Sequence, residues 1–253
     1  MKNYFVALIL LLGCKLNSQN TIRVGYLAEH KIDVILGRAE KLKQEKPNSL
    51  IDVNYFEKLY REEQENLNNS EIILLADGEA YKLTYVSPMP SDRYLISSYN
   101  AAVGFFDAQL IYGDIKNETI YLAGTKGSVE IDRVFNLNEV TWELTNESET
   151  ILGYTCYKAT GHLREEKNGN SKLFPITAWF APDLPYKGGP TQYVNLPGLI
   201  LKFETQISIV KAVSIDLGSF KIVPYTPQFK VMTSAKFIQH RDSIDRIYRP
   251  REH

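Results

Sequence analysis

The chain is poor in cysteine. Its 253 residues hold two, Cys14 and Cys156, too few for a disulfide-stapled scaffold or a four-cysteine zinc site. It also lacks an excess of either charge. Lys and Arg number 29 against 30 Asp and Glu, a net charge of −1, which gives nucleic acid no basic footprint and a membrane no polybasic grip. Histidine is scarce: the four copies, at 30, 162, 240 and 253, form no His-x-x-x-His pair, so zincin chemistry has no support. No Gly-x-Ser-x-Gly elbow is present, and no clustered Asp/Asn loop suggests calcium. Gly124-Thr125-Lys126-Gly127-Ser128 lacks the glycine spacing of a phosphate loop and reads as a hairpin turn. No cofactor is expected. Disorder is excluded too, because 44% of the residues are hydrophobic.

What is present begins with an address. After Lys2, Phe5 to Leu12 is an unbroken apolar run. It is too short for the ~30 Å hydrocarbon core and suits the apolar region of a secretory signal over residues 1–19. Two processing sites remain open. Leu11-Leu12-Gly13-Cys14 resembles a lipobox that would leave a lipid anchor on Cys14, although Leu12 fits that pattern poorly. Ordinary cleavage would fall near Ser18-Gln19, before Asn20. Either way the expected address is exported, in the periplasm or at the outer membrane or cell surface, with no transmembrane span in the mature chain. Loss of residues 1–19 removes Lys2 and Lys15, leaving 27 bases against 30 acids and a net charge of −3. Cys156 then becomes the sole thiol of the folded chain.

Residues 20–253 read as one β-rich domain. Thr21 to Leu27 predicts a strand, and the charged stretch 38–47 a solvated helix or loop. From an N-cap at Asn48 or Ser49, Leu50, Val53, Phe56, Leu59 and Tyr60 recur at helical spacing, predicting a helix near 48–67 with Glu57, Glu62, Glu63 and Glu65 on its solvent face. Glu71 to Ala76 and Ala80 to Val86 flank the hairpin signal Asp77-Gly78. Further strands are expected at Ile111-Tyr112, ending at Gly113-Asp114, and at 119–123, 139–144, 151–160, 176–180, 199–204 and 212–217. Residues 165–170 form a polar turn, and a last amphipathic helix falls within 237–248. Strands in series without intervening helices predict a mainly β (α+β) fold: a curved antiparallel sheet or half-barrel with one or two helices packed on it.

One stretch is unusual. Pro182, Pro185, Pro190 and Pro197 alternate with Gly188, Gly189 and Gly198 between Trp179-Phe180 and Leu199-Ile200-Leu201. A regular strand cannot run through it. Pro197-Gly198 suits the core of a type II turn, after which Leu199 restarts a buried strand. The hexapeptide Asn195-Leu196-Pro197-Gly198-Leu199-Ile200 resembles the signature of the GLPGLI family of exported Bacteroidetes proteins, with Asn195 in place of the first glycine. Gly153-Tyr154, Cys156, Trp179, Pro185 and Gly189-Pro190 follow the family order. The resemblance is specific over residues 150–204 and implies an exported β-rich module without an established activity, in which these residues serve structure. The chain also resembles a non-catalytic N-terminal module of some bacterial peptide-N-glycosidases. At fold level it is similar to the curved-sheet lipoprotein carriers of the periplasm.

Three functional readings follow. The first is a non-catalytic envelope module that binds a partner protein or an apolar or glycan ligand, with Tyr, Phe and Trp lining its sheet. The second is a carrier of lipid or another apolar molecule, which requires an apolar cavity between sheet and helix. The third is a hydrolase whose groups converge from distant positions. No catalytic or metal-ligating residue is assigned. Cys156, in a strand-like segment with no motif around His162, reads as buried and inert.

Overall fold

The computed structural model describes residues 21–86, 108–123, 125–126, 129–130, 132–167, 170–233 and 236. The first strand, β1 (Thr21–His30), buries Ile22, Val24, Tyr26 and Ala28 on one face, the period-two pattern of a strand with one face on a core. Two helices follow, α1 (Ile32–Glu45) and α2 (Val53–Asn68). A first meander then runs through β2 (Glu71–Ala76), β3 (Ala80–Val86), β4 (Leu110–Asp114), β5 (Thr119–Ala123) and β8 (Asp132–Asn136), interrupted by the small hairpin of β6 (Thr125–Lys126) and β7 (Val129–Glu130). A second comprises β9 (Glu143–Ile151), β10 (Tyr154–Lys167), β11 (Asn170–Ala181), β12 (Leu199–Glu204) and β13 (Ser208–Gly218), and β14 (Val231–Thr233) ends the series.

Among the described residues, twelve strands form one sheet in the order β14-β8-β5-β4-β3-β2-β1-β13-β12-β11-β10-β9. Every pairing in it is antiparallel except β14 on β8. The first strand in sequence therefore lies between the two meanders, pairing with β2 on one side and β13 on the other. Register keeps one face apolar across the first half: Val24 lies opposite Leu74, Leu74 opposite Leu83, Leu83 opposite Ile111, and Ile111 opposite Leu122.

The connection between β8 and β9 determines the shape. These strands stand ten places apart in the sheet order, about 48 Å if the sheet were flat. Residues 137–142 join them, and such a link reaches about 25 Å at most. The sheet must curl until its two halves approach each other. Its concave side holds the core.

That side is filled by the loop between β11 and β12, residues 182–198. Leu184, Val194 and Leu196 are buried, as are Gly188, Gly189 and Pro190. A Cβ on Gly188 would touch Leu74, Tyr81 and Leu199, so the loop reaches from its own half of the sheet to β2 and β3. Leu199 N–H donates to Leu184 O and Ile200 N–H to Gly188 O, both at 3.0 Å. The Tyr26 hydroxyl donates to Ile200 O at 2.6 Å. A loop can lie inside a core only where its backbone groups find such partners.

A second irregular segment, 219–230, crosses the opposite face from β13 to β14. Tyr225 rests against Tyr112 and Tyr121, with ring centroids 6.5 and 5.9 Å away. The fully buried Asp132 accepts hydrogen bonds from the Tyr225 hydroxyl at 2.7 Å and from the N–H groups of Gln228 and Phe229 at 2.8 and 2.9 Å.

Several expectations are corrected. The first strand extends to His30, and 32–45 is a full helix. The second helix starts at Val53, because Asp52, rather than Asn48 or Ser49, caps it by accepting from Asn54 and Tyr55 N–H. Gly113 lies inside β4, where its missing side chain makes room for the Tyr81 ring. Residues 139–142 are the closing connection and not a strand; Val140 and Trp142 pack over Gly161 instead of pairing. A two-residue turn at Leu152-Gly153, both at positive φ (51° and 85°), divides the strand expected at 151–160. Leucine rarely occupies that conformation, so the signal was masked. β10 and β11 extend into the expected polar turn, pairing as far as Lys167 and Asn170. The turn at Pro197 is a three-residue turn, with Gly198 N–H bonded to Leu196 O at 2.9 Å. Gly198 has φ 153°, far from the value a type II turn requires. The expected helix within 237–248 lies outside the described residues.

Gly198 has no room for a side chain, since a Cβ would overlap the Ala181 carbonyl. Gly198→Ala is expected to cost roughly 2–4 kcal/mol, and Pro197→Ala only about 0.5–1 kcal/mol through the unfolded chain. Thermal melts of both variants check this ordering; equal losses would contradict it.

Candidate functional site

The apolar pocket lies where the helix pair meets one end of the curled sheet. Gln64 of α2 accepts from His30 N–H and donates to Ala28 O, fixing the helix to the end of β1. Lys31 reaches Glu204 and Thr205 O, both at 3.0 Å, and ties the helices to the β12–β13 turn. Between these elements is a pocket of about 500 Å³, within the ~300–1,000 Å³ usual for small-molecule sites. Leu163, Phe174, Pro175, Ile176 and Ile207 supply most of its wall.

Its inner polar group is a buried pair. His30 Nε2 and Glu63 Oε1 are 2.9 Å apart, and their side chains are 5% and 6% exposed. Tyr60 meets the His30 ring edge-on at 5.2 Å and stacks on Phe56 at 6.4 Å. Burial first, and then the Glu63 charge, push the Tyr60 hydroxyl above its ordinary pKa. The sequence reading placed Glu63 on the solvent face. In the structure it shares a buried stripe with Leu67, set by the spacing of Phe56, Tyr60, Glu63 and Leu67. A carboxylate within that 4-3-4 stripe was the signal available in sequence; His30, 33 positions away, carried none.

A second, polar cleft of about 460 Å³ lies along the closing connection, lined by Glu139, Glu143, His162, Arg164 and Tyr193 among others. Burial raises the Glu139 carboxyl above its ordinary pKa, and burial and then Glu139 push the Tyr193 hydroxyl up to about 12. Among the described residues, no hydrogen bond or ion pair joins Glu139, Glu143 and His162. A nucleophile or base needs an oriented partner to do acid–base work. No group of three His, Cys, Asp or Glu suited to a metal ion occurs among the described residues.

The residues that carry the family resemblance line neither cavity. Gly153 occupies the β9–β10 turn and Tyr154 opens β10. Trp179 is half-buried against the core, between Lys158 and Lys202, whose ammonium groups stand 5.9 and 4.5 Å from its ring. Register sets these three side by side across β10, β11 and β12. Pro185, Gly189, Pro190, Asn195, Leu196, Pro197 and Gly198 belong to the loop inside the sheet, and Leu199 and Ile200 begin β12. Asn195 bonds to Asn138 of the closing connection and to Lys187. Cys156 is wholly buried, and burial first, then the Glu149 charge, push its thiol up to about 11.

Removing one member of the buried pair leaves the other without compensation, which costs about 3–5 kcal/mol. Urea unfolding of His30→Ala should show a loss of that order, and most of it should return in His30→Ala/Glu63→Leu. For Cys156, the raised pKa means the folded state holds its proton between about pH 9 and 11 while the unfolded chain loses it. In a chain beginning at Asn20, the thiol should therefore resist a disulfide reagent at pH 8 and react on unfolding. Rapid labelling of the folded protein would contradict this.

Comparison with known proteins gives three findings. No curated protein matches the chain in sequence. The solved structures of PNGF-II in the C2 and P21 space groups are similar, with TM-scores of 0.51 and 0.50 at 16% identity; 87% of this chain is covered in each case. This chain spans only 32% of the length of those chains, and at that identity the likeness concerns the fold. Residues 162–202, from the middle of β10 into β12 and including Asn195–Ile200, match the family model described as "Protein of unknown function (Porph_ging)".

Proposed function

We propose that the chain is an exported cell-envelope module of the GLPGLI type, and that it binds an apolar ligand without transforming it. The observation that carries the binding reading is the pocket of about 500 Å³ walled by Leu163, Phe174, Ile176 and Ile207 between helices and sheet. The carrier reading required such a cavity in that place. The centre of the curled sheet is not available to a ligand, because the 182–198 loop packs it. The binding site is therefore peripheral, at the helix-covered end. The export reading rests on the 1–19 leader, and the family reading on the hexapeptide and the 162–202 match. Recurrence of the fold in about a third of a longer chain supports a module.

Binding is tested by titrating the protein with an uncharged long-chain alcohol in a calorimeter. Leu163→Glu, which puts a carboxylate into the apolar wall, should weaken binding at least about tenfold while the melting temperature holds. Unchanged affinity in that variant would remove the pocket from consideration. Mass spectrometry of the protein isolated from cells tests export, with the N-terminus expected at a lipidated Cys14 or near Asn20. A chain still carrying Met1 would overturn it.

A further inference from the structure

We propose that the ligand is an anionic amphiphile, a linear apolar body with a carboxylate head, held tail-inward with its head on Arg38. This rests on the pocket reading above and adds the chemistry of the head group. The pocket's ionisable lining comprises His30, Arg38, Tyr60 and Glu63. They are not evenly placed. His30 and Glu63 are buried at the inner end. Arg38, on α1, is exposed at the mouth.

Arg38 is also a cation with no acidic partner among the described residues. Its guanidinium donates to the neutral Gln206 Oε1 at 3.0 Å, and no ion pair to it occurs among the described residues. The neighbouring cation at this end, Lys31, is already compensated by Glu204. A guanidinium can take a carboxylate through two parallel N–H groups. Orientation follows from the wall. Leu163, Phe174, Ile176 and Ile207 line the way inward, so burying a charged head there is costly, whereas an apolar tail meets matching surface. A cationic head at the mouth would meet Arg38 and be repelled. The arrangement accepts an acid with its tail inside and disfavours both the reversed acid and the amine.

Calorimetric titration with myristate, myristyl alcohol and myristylamine, each below its aggregation threshold, tests this. At low salt, myristate should bind roughly three- to tenfold tighter than the alcohol. The gap should narrow as salt screens the pair, disappear in Arg38→Gln, and persist in part in Arg38→Lys. Equal affinity for acid and alcohol, tighter binding of the amine, or a gap that survives Arg38→Gln overturns the head-group assignment and leaves the pocket reading standing. If none of the three binds the folded wild-type chain, both readings fall together.

Discussion

Closure of the sheet over residues 137–142 is the constraint on which the remaining architecture depends. Twelve strands in a row could form a flat, exposed surface. A six-residue link between strands ten places apart prevents that and forces a concavity. A concavity lined by Val24, Leu74, Leu83 and Ile111 must then be filled, because apolar surface left in water forfeits the main driving force of folding. The chain fills it with its own proline- and glycine-rich loop. Regular structure would not fit so narrow a space. Prolines reduce the number of N–H groups that need partners, and Gly188 and Gly189 let the backbone approach Leu74 and Ile200 closely.

The position of the cavity follows from the same arrangement. Once the loop occupies the middle, space remains where the helices between β1 and β2 bridge to the β12–β13 turn. The helices are held there by polar contacts to backbone, through Gln64 and Lys31, and by the His30–Glu63 pair. The pair adds geometry more than stability, since a buried polar pair seldom exceeds apolar packing in net contribution. It fixes α2 against the end of β1 and leaves an apolar wall facing it.

Much of the architecture was legible along the chain. Period-two alternation and Asp77-Gly78 gave β2 and β3; the mainly β class with packed helices followed from strands in series. What sequence did not reveal was long-range. Of the strand expected over Glu139 to Leu144, only Glu143 and Leu144 join β9, while residues 139–142 serve as the closing connection, a role decided by strands on both sides of it. Pro197-Gly198 has the composition of a type II turn, yet the Leu199 N–H is claimed by Leu184, so the local bond never forms. The hexapeptide was visible, but not its contacts: Leu199 N–H bonds to Leu184 O, and Gly198 lies against the Ala181 carbonyl. The pocket was invisible, because Glu63 lies among four glutamates on a helix and its histidine is on another element. Local pattern identifies elements; only the assembled sheet identifies which polar residues face each other.

The place of β1 governs the order in which the molecule can assemble. Ile22 pairs with Leu217, so the central ladder joins nearly the first described residue to one 195 positions later. Each meander can pair locally as it emerges, but the two halves cannot unite until β13 has been made. Such non-local topology folds slowly, because loop closure precedes any gain from contact. A nascent chain lacking its last fifth thus has β1 paired on one side at most, and it keeps a long apolar edge unsatisfied. That interval is when a chaperone can engage an extended chain, and it ends only when β13 arrives.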